Sequence, residues 1–158
     1  MKRTDCLYQQ FLEILKEELV PAMGCTEPIA VAYAAAQARA ALGMLPDAVT
    51  VEVSGNIIKN VKSVVVPHTG SMHGIAAAAA AGIVAGREEL ALEVLSQVTP
   101  EQVAQMHAYL EKTPIAVRQI DSPFIFDIRI TVRASGEQAS ARIVGSHTNL
   151  VQLLRGTT

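Results

Sequence analysis

The chain has 158 residues, half of them hydrophobic, enough for one compact domain with its own core. Thirteen basic and fifteen acidic residues give a formal charge of -2 without any block of like charge, so the sequence carries no electrostatic footprint for nucleic acid or for an anionic membrane surface. The longest nearly unbroken apolar stretch, 75–85, is about half of the roughly 20 residues a membrane-spanning helix needs.

The start carries Lys2 and Arg3, but Asp5, Gln9, Gln10 and Glu13 follow where a signal peptide needs an apolar core, so a cytoplasmic protein is expected. Its two cysteines, Cys6 and Cys25, are too few for a disulfide scaffold and read as reduced thiols.

In chain order, Leu7, Phe11, Ile14, Leu15 and Leu19 fall at helical spacing over 7–20, with Thr4 or Asp5 as cap and Pro21 as stop. Cys6 lies on this helix and reads as a core residue. A second helix is predicted from Thr26 to Leu42, with Thr26 as cap, Pro28 in the first turn and Gly43 beyond the end. Val49, Val51 and Val53 alternate with Thr50, Glu52 and Ser54, the period of a strand with one wet face, and 61–66 reads as another strand. After the turn 67–71, residues 75–85 form an alanine-rich helix that neighbouring backbone can approach closely, with Gly82 and Gly86 near its end.

Two further helices are expected at 88–97 and 101–112, the latter opened by Thr99 and Pro100. Strands follow at 115–120, 124–134 and 138–145; in the middle one Ile128, Ile130 and Val132 oppose Asp127, Arg129, Thr131 and Arg133, and Ser135-Gly136-Glu137 supplies a hairpin turn. The expected fold is α+β, with a mainly antiparallel sheet and alanine-rich helices packed on it, in a single domain over 1–158.

Two segments share one design, a glycine-containing polar turn that runs straight into an alanine-rich helix: Gly24-Cys25-Thr26-Glu27-Pro28 and Thr69-Gly70-Ser71-Met72-His73-Gly74. A helix start offers unpaired NH groups and the positive end of the dipole, so each turn could seat a carboxylate or phosphate; equally, each could be only a cap. At the first of these starts the dipole should lower the pKa of Cys25 and make it a base or nucleophile, the alternative being an ordinary small buried residue.

His68 and His73 flank a glycine turn without the cysteine or carboxylate neighbours of a zinc site, and His107 sits mid-helix as a surface or packing residue. Ser146-His147-Thr148-Asn149 groups four hydrogen-bonding side chains where a strand ends, either to meet a ligand or to satisfy their own turn. Asn56 leaves a strand through Gly55 and could offer an amide to a ligand or simply form the turn. Nucleophile elbow, phosphate-binding glycine loop, dinucleotide fingerprint and HExxH are all missing, so hydrolase, kinase and dehydrogenase readings have no motif beneath them.

Four segments in one order, Gly24-Cys25-Thr26-Glu27-Pro28-Ile29-Ala30, the run from Val53 through Ser54-Gly55-Asn56-Ile57-Ile58-Lys59-Asn60 to Val61, Val65-Val66-Pro67-His68-Thr69-Gly70, and His147-Thr148-Asn149, resemble the amino-terminal domain of the L-cysteine desulfidase family, which is similar to iron-sulfur L-serine dehydratases. His68 departs from the pattern, where a smaller or amide residue would be expected. The resemblance implies a lyase that eliminates sulfide or water from L-cysteine or L-serine, giving pyruvate and ammonia, with a [4Fe-4S] cluster as Lewis acid. It implies Cys25 as the catalytic base, and Thr26, Glu27, Asn56, Thr69, Gly70, Ser71, His147, Thr148 and Asn149 as substrate-binding residues. Two cysteines cannot hold such a cluster, so it implies no metal site in this chain and a missing carboxy-terminal cluster domain or subunit as partner. A homodimer is compatible with it. The competing expectations are a non-catalytic small-molecule-binding or assembly module that kept the fold, and an independent thiol enzyme using Cys25 with His68 or His147.

Overall fold

A computed structural model describes residues 6–19 and 24–157. Helix α1 (Cys6–Glu18) leads to α2 (Thr26–Leu42), strand β1 (Ala48–Val53), a short helix α3 (Gly55–Val61) and α4 (Ile75–Ala85). A 3₁₀ segment at Glu88–Glu93 precedes α5 (Pro100–Lys112), after which β2 (Ile115–Gln119), β3 (Asp127–Ala134), β4 (Glu137–Val144) and β5 (Leu150–Thr157) complete the chain. The fold is α+β: a five-stranded sheet in the order β2-β1-β3-β4-β5, parallel between β1 and β2 and antiparallel elsewhere.

The alternation in β1 and β3 does what it predicts. Val49, Val51 and Val53 face the core, in register with Val132, Ile130 and Ile128 across the antiparallel pair, and all six are buried. On β4 the inward positions are Ala139, Ala141 and Ile143, and the two small side chains leave room for α2 to lie over β3 and β4. Helix α2 is buried along its length, from Pro28 through a run of alanines to Leu42, and Gly43 closes it in the left-handed conformation at φ 80°. Beside it lies α4, and the two cross so tightly that a methyl group on Gly82 would overlap the Ala32 carbonyl and sit 2.8 Å from the Ala32 Cα. Alanine and glycine are required there because any larger residue would hold the two backbones apart.

Helix α5 packs on α4 and starts with a full capping box: Thr99 Oγ1 accepts from the Gln102 NH while the Gln102 side chain accepts from the Thr99 NH. Its Tyr109 hydroxyl donates to the Pro46 carbonyl at 2.8 Å, and burial pushes that phenol up to about 12. The Ser135-Gly136 hairpin turn holds both residues at positive φ, 53° and 77°, as a two-residue connection of this hand demands.

Several expectations need correction. Residues 61–66 are not a strand: Ile57, Ile58 and Val61 recur at helical spacing and form α3, and what remains is a single bridge between Val65 and His73. Asn56 therefore stands in the first turn of a helix. The stretch 88–97 is a short 3₁₀ segment with Ala91 at φ 49° rather than an α-helix. Strand β5 was not expected at all. Cys25, not Thr26, is the cap residue of α2. Cys6 is exposed, and the apolar stripe of α1 is about half exposed at Leu7, Phe11, Ile14 and Leu15, so this helix does not join the core as its periodicity suggests. The expected cap at Thr4 or Asp5 and the stop at Pro21 lie outside the described residues.

Asp127 also departs from its pattern. It belongs to the polar face of β3, yet its side chain is fully buried, held by Arg142 Nε at 3.0 Å, Arg142 Nη2 at 2.7 Å and the Ser122 hydroxyl at 2.6 Å. Burial opposes ionisation of Asp127, but the Arg142 and Ser122 bonds outweigh it and hold the carboxyl below its ordinary range. Ser54 completes the node: its hydroxyl donates to the Ile125 carbonyl and accepts from the Asp127 NH, tying the end of β1 to the loop before β3. No helix of the described residues is long and apolar enough to cross a membrane.

Candidate functional site

The start of α2 is shaped by Gly24. At φ 143° it turns the chain so closely onto Pro67 that a side chain would meet the proline ring at 2.9 Å. Only glycine permits this approach, and it brings the 24–27 turn against the 67–70 turn, the first step of the convergence that the motifs suggest. Cys25 then caps α2 with extended backbone but without a side-chain cap bond. Its thiol donates instead to Glu27 Oε2 at 3.3 Å, on the exposed rim of the molecule.

Glu27 is the hub of this rim. Partial burial disfavours its charge, but its own backbone NH, the Cys25 thiol, His147 and the Asn60 side chain together favour it, so the carboxyl lies below its ordinary range and is ionised at neutral pH. Its place in the first turn of α2 adds the favourable end of the helix dipole. The same contact acts oppositely on Cys25. Partial burial and the Glu27 carboxylate raise the thiol, outweighing the pull of the Glu27 NH. The expected activation by the dipole is therefore corrected: an acceptor carboxylate at hydrogen-bond distance stabilises the protonated thiol.

His147 approaches from the far end of the sheet, after β4, with its ring 4.7 Å from that of Phe126 and tilted by 60°. Its Nε2 is buried without a hydrogen-bond partner among the described residues. Sequence reasoning thus brings Cys25, Glu27 and His147 to one rim, with Thr26 half-buried between the first two. It missed Asn60, which lay inside a quoted motif; the signal was the helical spacing of Ile57 and Val61, which turns Asn60 toward the same end of the molecule as Glu27.

The remaining candidates separate. Thr69 is buried, and its hydroxyl donates to the Val66 carbonyl at 2.7 Å, so it closes its own turn. Gly70 and Ser71 line a hollow of about 320 Å³ with Met72, His73 and His107. Within this turn His68 and Ser71, neither of them glycine, hold positive φ, 60° and 73°, a conformation that costs a residue with a side chain. Asn56 is exposed and borders another hollow, of about 440 Å³, with Ser54, Ser122 and Phe124. Asn149 donates from Nδ2 to the Val144 carbonyl at 2.9 Å, and the Thr148 carbonyl accepts from the Leu150 NH, so the 146–149 turn largely satisfies itself.

The described residues do not fit an iron-sulfur cluster: the chain's thiols are Cys6 and Cys25, on separate elements, and no group of three or more His, Cys, Asp or Glu side chains converges closely enough to hold a metal ion. What the rim offers from its own groups is a protonated thiol that donates to an ionised carboxylate, with an imidazole nearby.

Comparison with known proteins adds the following. The chain is similar to UPF0597 proteins. It is 54% identical over 153 residues to one from Desulfitobacterium hafniense (97% of this chain, 36% of the relative), 47% identical over 146 residues to one from Treponema denticola (92% and 34%), and 44% identical over 146 residues to one from a Shewanella species (92% and 34%). The chain thus spans about a third of the length of these curated relatives. Neither a family profile nor a solved structure matches it. These relatives overturn the cysteine desulfidase resemblance: similarity along nearly the whole chain runs to UPF0597 proteins, and nothing found supports the desulfidase family. The misreading has a physical root, because glycine, a small hydroxyl or thiol, an acid and proline are what any helix start favours.

Proposed function

We propose that this chain is the proton-transferring, substrate-side part of a longer lyase that eliminates sulfide or water from a small amino acid. The supporting observation is the thiol-carboxylate contact, Cys25 Sγ to Glu27 Oε2 at 3.3 Å, at an exposed helix start. The ionised Glu27 carboxylate draws the thiol proton as the Cys25 sulfur removes the α-hydrogen; the β-substituent departs with its bonding pair and takes that proton from Glu27, and the resulting enamine tautomerises to an imine that water hydrolyses to pyruvate and ammonia. The raised thiol keeps Cys25 protonated at rest, and the charge of His147 favours the ionised Glu27 that draws its proton.

The test is an assay of pyruvate, ammonia and sulfide from L-cysteine, and of pyruvate from L-serine, with this chain inside a protein of its relatives' length. Cys25→Ala and Glu27→Gln should each lower the rate about 100-fold or more. An undiminished rate in Cys25→Ala removes the thiol from the mechanism.

A second reading is a non-catalytic binding module, favoured by the resting protonated thiol and by the self-satisfied Thr69 and Asn149. It predicts calorimetric binding of L-cysteine or L-serine without turnover, unaffected by Cys25→Ala.

A further inference from the structure

The helices cover one face of the sheet, and the other face is polar and uncovered among the described residues. Polar faces of antiparallel sheets are ordinarily just solvated. This one departs from that pattern in its charge. Cross-strand register places Arg118, Glu52, Arg129, Arg142 and Gln152 in one row from β2 to β5, with Arg129 directly opposite Arg142. Like charges directly opposite each other are unfavourable. Asp127 neutralises Arg142 through two hydrogen bonds and acts on Arg129 only through its charge, while Arg129 has a loose approach to Glu52, Nη1 to Oε2 at 3.9 Å, and its Nε is buried with no hydrogen-bond partner among the described residues. The Arg129 side chain is 37% exposed, so its guanidinium can still meet an acceptor from solvent.

Four residues further along β3, on the same face, stands Arg133, whose guanidinium donates to the Thr50 hydroxyl at 3.3 Å, with no carboxylate among the described residues pairing with it. Arg129 and Arg133 are separated along β3 by about 13 Å of backbone, a distance that their long side chains can bridge from either end. Between them the directly opposed hydroxyls of Thr131 and Ser140 form the floor. All four line one groove of about 610 Å³, which Gln138 and Gln152 also border. Glu52 and Arg155 also line the groove; Arg155 is paired with Glu137, and Glu52 disfavours an anion beside it, so the negative ends of a ligand belong on Arg129 and Arg133.

We infer that this groove binds a small molecule with two anionic groups, carboxylate or phosphate, joined by a polar segment, one end on Arg129 and the other on Arg133, with its middle over the Thr131 and Ser140 hydroxyls. Planar guanidinium forks suit both anion types, which is why the shared chemistry and not one compound is assigned. The inference does not rest on the Cys25 rim, which lies at the helix side of the molecule.

The test is a chemical-shift titration of the isotopically labelled full chain with malate, and separately with pyrophosphate, at constant ionic strength set by chloride. The expected result is saturable movement of the amides of Arg129, Thr131, Arg133 and Ser140, and about tenfold weaker binding in R129Q and in R133Q. Saturation by malate alone assigns carboxylate ends and by pyrophosphate alone phosphate ends; either supports the inference. If R129Q disturbs the sheet, R133Q carries the test alone, since Arg133 takes no part in the Asp127 node. Shifts that track chloride equally, affinities unchanged in R133Q, or saturation only by an acidic peptide would overturn it.

Discussion

Two turns in this protein are built from the same kinds of residue and do opposite things. Both the 24–27 turn and the 69–74 turn pass through glycine into an alanine-rich helix. In the second, the Thr69 hydroxyl is buried and bonded to the Val66 carbonyl, and the backbone is wound through positive φ at Gly70, Ser71 and Gly74, so the polar groups are used up holding the turn. In the first, Cys25 makes no cap bond, stays exposed, and donates its thiol proton in a hydrogen bond to Glu27, on which Asn60 and His147 also act. Composition alone does not separate the two turns; what separates them is that the Thr69 hydroxyl is buried against its own backbone, whereas the Cys25 thiol stays exposed beside a carboxylate.

That contrast can be broken or sharpened experimentally. The largest effect should come from the crossing that holds both helices in place. Gly82→Ala adds a methyl group against the Ala32 carbonyl, and although alanine favours helix by up to about 1 kcal/mol, overpacking should dominate and destabilise the chain by about 3 kcal/mol in denaturant unfolding. A stable, undistorted Gly82→Ala variant would mean that the two turns are not fixed relative to each other by this contact.

Next comes a direct comparison of the turns. Thr69→Val keeps the shape but removes a buried donor and should cost about 1–2 kcal/mol, whereas Cys25→Ala at the exposed rim should stay within about 0.5 kcal/mol of the wild type. Equal losses would show that both turns are structural. Smaller still, Ser71→Gly relieves a non-glycine residue at φ 73° and, after the extra freedom of glycine in the unfolded chain, should gain about 0.5 kcal/mol in thermal melts.

Acid should expose the charge side of the contrast. Glu27 is lowered in the folded chain, so it contributes stability that is present above the ordinary carboxyl range and is lost as pH falls through its folded value. Asp127 acts in the same direction. Unfolding measured from pH 6 downward should therefore show a decline below about pH 4 that is shallower in Glu27→Gln, the residual slope belonging to Asp127.

Much of the fold was legible because its periods are clean. Val49, Val51 and Val53, the Ile128, Ile130 and Val132 set, and the alanine runs of α2 and α4 each point one way, and the structure follows them. Legibility failed where two periods compete. The β-branched run at 61–66 suggests a strand, but Ile57, Ile58 and Val61 had already committed its first residue to α3. Strand β5 escaped because Leu150, Val151, Gln152, Leu153 and Leu154 do not alternate, a consequence of the irregular register opposite Arg142 and Ile143. The Asp127 node was hidden for a related reason: alternation put Asp127 on the wet face, and only the tertiary meeting of Ser54, Ser122 and Arg142 buries it.

The candidate site was legible in part. Cys25 and Glu27 are neighbours in sequence, so their pairing could be read locally; the arrival of Asn60 and His147 at Glu27 depends on the sheet and could not. The direction of the Cys25 shift was misread because the helix dipole was weighed without the carboxylate two residues on.

The most direct test is the pH dependence of Cys25 alkylation, followed in a Cys6→Ser background in the wild type and in Glu27→Gln. A shared proton predicts a thiol that titrates above the ordinary cysteine range and moves down when the carboxylate is replaced, with faster alkylation at neutral pH. A thiol that titrates below that range, or one that is indifferent to Glu27→Gln, would contradict the pairing on which the proposed chemistry stands.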